Sequence, residues 1–145
     1  MTQKDKDLLL KDICSRLPYG IIIKHEGNLS KLDTIFMCDS ISISSTSIDK
    51  KLVYNLDLDE IKPYLFPLSS MTEEQKYDLY CRFIETDCDF DDFKEFYLDN
   101  GMWHQLHTSL DDIEAIIDWF NKNHFDYRGL IEKSLALDAT GLNIY

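Results

Sequence analysis

The chain has 145 residues, of which 44% are apolar and 12% aromatic, enough for one domain with its own core and too apolar for a disordered chain. Residues 1–56 carry eight Lys/Arg against seven Asp/Glu, whereas residues 57–145 carry seven against twenty, which places the net charge of -12 in the C-terminal part. That acidity opposes direct nucleic-acid binding, which depends on Lys and Arg neutralising phosphates, and it leaves a basic partner or simple solubility as its use.

In chain order, Leu8, Leu9, Ile13 and Leu17 recur at helical spacing from Lys4 onward and Pro18 stops the run, which predicts a first helix over 4–17. The stretch YGIIIKHEGN predicts a strand and a Gly-Asn turn, and Ile41, Ile43 and Ser45 alternate with Ser42 and Ser44 as in a strand covered on one face. KKLVYNLD adds a short strand, so the N-terminal part is expected to be an antiparallel meander of three or four strands. Pro63 and Pro67 in IKPYLFPLSSM forbid a long helix and predict an ordered, extended loop over 57–71. Ser70 or Thr72 then caps a second helix with Glu73, Glu74 and Gln75 in its first turn and Leu79, Tyr80, Phe83 and Ile84 inward.

Residues 85–108 are the least regular, with a short helix expected near 91–98. A third clear helix, SLDDIEAIIDWFNKN, has Ser109 as its cap and Leu110, Ile113, Ile116, Ile117 and Phe120 on its buried face. After Asp126 a last helix is predicted over YRGLIEKSLAL, with Leu130, Ile131, Leu135 and Leu137 inward. The expectation is one α+β domain: a helix and meander over 1–56, the proline loop, and an acidic part of three or four helices over 72–145.

Several clusters invite a chemical reading. Asp87, Asp89 and Asp91 imitate the opening of an EF-hand loop, but Asp92 stands where the loop needs glycine and Leu98 where it needs a bidentate glutamate. With Asp92 and Glu95 these carboxylates form either a solvated face or a surface for a basic partner. His104 and His107 could share a helical face, with Asp111 or Asp112 as a third metal ligand, but there is no HExxH with its general base. Cys14, Cys38, Cys81 and Cys88 lack CxxC spacing and are expected to be reduced thiols; Cys88 lies among carboxylates, which disfavour a thiolate.

The segment HFDYR, residues 124–128, gathers an imidazole, a carboxylate, a phenol and a guanidinium. It is expected to be a joint between helices. Asn123 or His124 would end one helix, His124 would favour its dipole when protonated, Phe125 would plug the corner, and Asp126 would cap the next helix through the amides of Arg128 and Gly129. No glycine-rich phosphate loop, GxSxG, Walker or Rossmann pattern occurs. The polar N-terminus MTQKDKD has no apolar signal region, and no stretch approaches the roughly 20 apolar residues that cross a bilayer, so a cytoplasmic location without membrane contact is expected.

Three blocks, LLLKDICSRLPYGIII (8–23), IKPYLFPLSSMTEE (61–74) and WFNKNHFDYRGLIEKSLALDA (119–139), resemble a family of small uncharacterised proteins found in gut Bacteroidales genomes, their mobile elements and their tailed phages. The resemblance implies a bacterial or phage cytoplasmic setting. It implies no activity, cofactor or site residue.

The leading expectation is a non-enzymatic accessory protein that binds a host or phage protein. In its sharper form the partner itself binds nucleic acid, and Asp87, Asp89, Asp91, Asp92 and Glu95 stand in for phosphates. Phe66, on the stiff proline segment, would be a binding hot spot if exposed. The alternatives are a small metal-dependent hydrolase using His104 and His107, and a small-molecule or nucleotide binder stacking its ligand on Tyr19 and Tyr54. No cofactor is expected.

Overall fold

The computed structural model describes residues 1–37, 41–47, 50–83, 90–93 and 110–145, and the chain is α+β. It divides into two compact units, Met1–Leu68 with Asn121–Tyr145, and Ser69–Phe120.

The first unit begins with helix α1, Gln3–Arg16. Thr2 and Asp5 close a reciprocal capping box at its start, so two otherwise unpaired amides are satisfied from within the sequence TQKD. Pro18 converts the last turn into a short 3-10 segment, and Gly20, at φ +74°, reverses the chain into the sheet. Strands β1 (Ile22–His25), β2 (Asn28–Met37), β3 (Ile41–Ser47) and β4 (Leu52–Leu56) follow as the antiparallel meander the alternation predicts. The β1–β2 hairpin turns on Glu26 and Gly27, both at positive φ, the geometry that matches strand twist in a two-residue loop.

Two further strands correct the expected architecture of three or four. The proline segment is strand β5, Ile61–Leu65, not a loop: it runs antiparallel to β1, with Pro63 opposite Ile23. Proline is tolerated there because β6 (Leu137–Asp138) pairs only with Tyr64 and Leu65, in parallel, so no complete ladder runs past Pro63 on that side. The sheet is therefore mixed and six-stranded, in the order β4-β3-β2-β1-β5-β6. Leu9 and Ile13 of α1 pack with Ile23, Leu32, Ile43, Leu56, Ile61 and Leu65 of the sheet, and Leu130 and Leu135 complete this core.

The predicted last helix over YRGLIEKSLAL is also replaced. Residues 126–136 form successive turns, with Gly129 at φ +67° and Ser134 at φ +59°. The Asp126 carboxylate accepts the Leu130 amide at 2.9 Å and the Ile131 amide at 2.8 Å, a local alternative to helical bonding that Asp side chains readily offer. Leu130 and Leu135 are nevertheless buried, as their pattern indicates.

The second unit holds α2 (Glu73–Phe83), the single turn α3 (Phe90–Phe93) and most of α4 (Leu110–Lys122). Thr72 and Gln75 form the capping box of α2, in keeping with the sequence. Leu79 and Tyr80 are buried, and the Trp119 indole donates to Asp78 at 2.7 Å, joining α4 to α2. The expected buried face of α4 is revised: Ile113 and Ile117 are 41% and 37% exposed, whereas Trp119 and Asn121 are buried. Periodicity groups side chains on one face of a helix; which face is covered depends on the elements around it.

Candidate functional site

Within α1, Leu9, Asp12, Ile13 and Arg16 are all buried, and the last three are 0% exposed. Asp12 and Arg16 are four residues apart, so the helix stacks them. Arg16 Nε donates to Asp12 Oδ2 at 2.8 Å, and Nη2 donates to Asp12 Oδ1 at 3.1 Å and to the Phe125 carbonyl at 2.7 Å. A residue at position 16 thus anchors the backbone at position 125. Arg128 Nε lies 3.2 Å from Asp12 Oδ1, so one carboxylate balances two guanidiniums.

The same five residues that read as a reactive cluster close this node. Phe125 is 1% exposed. Tyr127 donates its hydroxyl to Asn121 Oδ1 at 3.1 Å and accepts from Arg128 Nη2 at 2.5 Å, and the guanidiniums of Arg16 and Arg128 lie over its ring at 5.4 and 4.7 Å. On the far side, the residue after β5 takes hold of the segment: the Phe66 amide donates to the His124 carbonyl at 2.9 Å and the Asp126 amide donates to the Phe66 carbonyl at 2.8 Å. HFDYR is a joint, but it leads from α4 into the sheet rather than from helix to helix, and Asp126 holds the amides of Leu130 and Ile131 instead of capping a helix through those of Arg128 and Gly129. Asp126→Ala removes the acceptor of one buried and one half-buried amide and is expected to cost about 1–2 kcal/mol, read as a lower urea midpoint for the sheet unit; an unchanged midpoint would refute this role.

His124 departs from the expected role of a protonated helix-end group. It sits at φ +58° just past α4, 5% exposed, with its ring stacked on Tyr145 at 3.7 Å and 14°. Burial, and then the nearby Arg16 charge, lower its pKa to about 4 against a smaller upward effect of a backbone bond at Tyr19, so at neutral pH it is uncharged. Among the described residues its Nδ1 has no hydrogen-bond partner. Tyr145 is 42% exposed, yet its hydroxyl donates to the Tyr64 carbonyl at 2.6 Å and accepts the Ile22 amide at 3.2 Å. Burial of that hydroxyl pushes its pKa up to about 12. A phenol so held keeps its proton near neutrality.

Phe66 is half-buried, with its ring against Phe125 (6.1 Å) and Tyr145 (5.9 Å); it serves the joint rather than standing out as a free hot spot. Tyr54 is 63% exposed and borders a groove of about 920 Å³ at one end of the sheet, with His25, Asn28, Ser30, Ser47 and Lys51. Tyr19 does not line that groove. Asp91 is exposed on α3, and Asp92, Asp111 and Asp112 occupy helical positions. Asp87, Asp89, Glu95, His104 and His107 lie outside the described residues, as do Cys38 and Cys88. Among the described residues no three His, Cys, Asp or Glu side chains gather as a metal site. Burial pushes the Cys14 thiol up, away from thiolate reactivity, and Cys81 is exposed.

Asp12 and Arg16, the residues that organise this part of the molecule, are absent from the candidates that motif and charge pattern single out. A signal for them does exist: the spacing of Leu9, Asp12, Ile13 and Arg16 puts an opposite-charge pair on the apolar stripe of α1. Among the described residues no helix is long and apolar enough to cross a membrane. No family model, no curated protein and no solved structure matches the chain.

Proposed function

We propose that the protein is a non-enzymatic interaction protein whose Ser69–Phe120 unit engages a basic protein partner, in the cytoplasmic bacterial or phage setting that the three-block resemblance implies. One observation carries this reading. The unit Ser69–Phe120 holds fourteen Asp/Glu against three Lys/Arg, a net of -11, while the remainder of the chain holds thirteen against twelve, a net of -1. Charge confined to one compact unit is a directed field, able to raise association rates with a basic surface by about tenfold or more at low salt. Glu73, Glu74, Asp91, Glu114 and Asp118 are exposed on its helices. A nucleic-acid-binding protein is the partner class whose surface best complements such a unit, the carboxylates replacing phosphates.

The test is capture from host lysate with the chain carrying Asp89→Lys, Asp91→Lys and Asp92→Lys, beside a control carrying Asp7→Lys, Glu26→Lys and Glu132→Lys in the sheet unit. Both variants change the net charge equally. Loss of a basic partner from the first alone supports the proposal; equal loss from both, or retention in both, removes it.

A further inference from the structure

Strand β4 is the open edge of the sheet: among the described residues it pairs with β3 alone. Natural edge strands are commonly blunted by proline, by an inward-pointing charge or by a β-bulge; LVYNL, Leu52–Leu56, has neither of the first two, and its one register shift lies past Val53, between that residue and Leu56. The direction of its unused backbone groups follows from the ladder. The Ser47 amide donates to the Lys51 carbonyl at 3.0 Å, and Leu52 and Val53 continue opposite Thr46 and Ser45. In an antiparallel strand the N–H and C=O of one residue point to the same side, and the sides alternate. Lys51 and Val53 therefore face β3, and Leu52 and Tyr54 present their N–H and C=O groups at the open edge.

These two residues also have exposed side chains, 54% for Leu52 and 63% for Tyr54, on the face opposite Val53, which packs toward the core. Asn55, at φ +58°, follows at a register shift of the strand, after which Leu56 pairs again with Ile43.

We propose that a second copy of the chain pairs with this edge, β4 against β4, as an antiparallel two-fold dimer with Val53 on the axis. With Leu52 opposite Tyr54 of the second copy, each such pair exchanges two backbone hydrogen bonds, and the symmetry doubles them to four. Neighbouring registers lose this. Placing Leu52 opposite itself sets Tyr54 against Lys50, whose amide is already donated to the Ser47 carbonyl at 2.8 Å. Placing Tyr54 opposite itself sets exposed Leu52 against Leu56, which is 4% exposed and belongs to the core face. The favoured register lays Leu52 beside Tyr54 of the second copy on the outer face as a cross-strand pair.

The ends of the strand agree. Lys50 and Lys51 precede it, and Asp57 and Glu60 follow it, all four exposed, whereas Asp59 between the latter two is already paired with Lys6 and the N-terminal amine. Antiparallel pairing brings the basic end of one strand toward the acidic end of the other, whereas parallel pairing would set like beside like. A contact made by so short a ladder belongs to the small, transient class, with dissociation expected in the micromolar range or weaker.

Sedimentation equilibrium of the full chain should show a concentration-dependent dimer. Amide exchange, read by NMR, should slow at Leu52 and Tyr54 as concentration rises. Tyr54→Pro deletes an edge donor and leaves the β3 ladder intact, and Leu52→Lys replaces the apolar pair; each should weaken association by about tenfold or more, with circular dichroism confirming an unchanged fold. A monomer at every concentration whose Leu52 and Tyr54 amides exchange freely would overturn the proposal. So would a dimer indifferent to both substitutions, or protection of those two amides only when another polypeptide is added.

Discussion

Replacing Arg16 with alanine is expected to remove about 3–5 kcal/mol of stability, a large share of the 5–15 kcal/mol that holds a typical domain together. Arg16 and Asp12 are both 0% exposed, and each has surrendered hydration that their pairing restores. Truncation leaves the Asp12 carboxylate with Arg128 at its 3.2 Å contact and leaves the Phe125 carbonyl without its Arg16 donor. The effect should fall on the sheet unit, since α1 and the 124–128 segment meet through this side chain. Trp119 belongs to Ser69–Phe120, so its fluorescence reports on the other unit. Urea titration followed by the amides of β1 and β5 is the appropriate readout. If their midpoint in Arg16→Ala matches that of the parent chain, the node does not hold the fold. Replacing Asp12 and Arg16 together by apolar residues should cost less than the sum of the single changes, because neither is then left as a buried charge without the other.

The stability of the sheet unit should fall by roughly 2–3 kcal/mol between about pH 6.5 and pH 4 on account of His124 alone. The sign follows from its depressed pKa, about 4 in the folded chain against 6.5 ordinarily. As pH falls through 6.5 the unfolded chain takes up the proton first, so the contribution is complete above that value and lost progressively toward pH 4. Many carboxylates also titrate at the lower end, so the measurement is a difference. His124→Asn, which tolerates the φ of +58°, should lose some stability at pH 7.5 with the Tyr145 stack and then decline less steeply than the parent. Parallel declines in the two chains would mean that His124 is not held neutral.

The local features of the chain are legible in its sequence. The capping boxes at Thr2 and Thr72 lie within three residues of their partners, the strand at Ile41–Ser47 is legible although Ser44 is buried beside Ile43 and Ser45 instead of facing solvent, and Pro18 marks the end of α1. The departures from pattern share a cause. IKPYL reads as a loop and YRGLIEKSLAL as a helix when each is judged on its own residues; the first becomes a strand through Ile23 and the second a series of turns pinned by Asp126. Spacing alone likewise puts Ile113 and Ile117 on a buried face, and the fold leaves both exposed.

What the sequence determined by itself was therefore the α+β class, the first helix, the antiparallel meander and the concentration of acid in one part of the chain, all of which depend on composition or on neighbours a few residues away. Tertiary structure alone decided that the C-terminal segment returns to the sheet, that β5 and β6 extend it, and that HFDYR closes a buried node with residues more than a hundred positions distant. A guanidinium at position 16 is an ordinary helix residue until the Phe125 carbonyl arrives to meet it. Buried charge is sustained only by partners that folding brings from afar, and local pattern carries no record of which partners those will be.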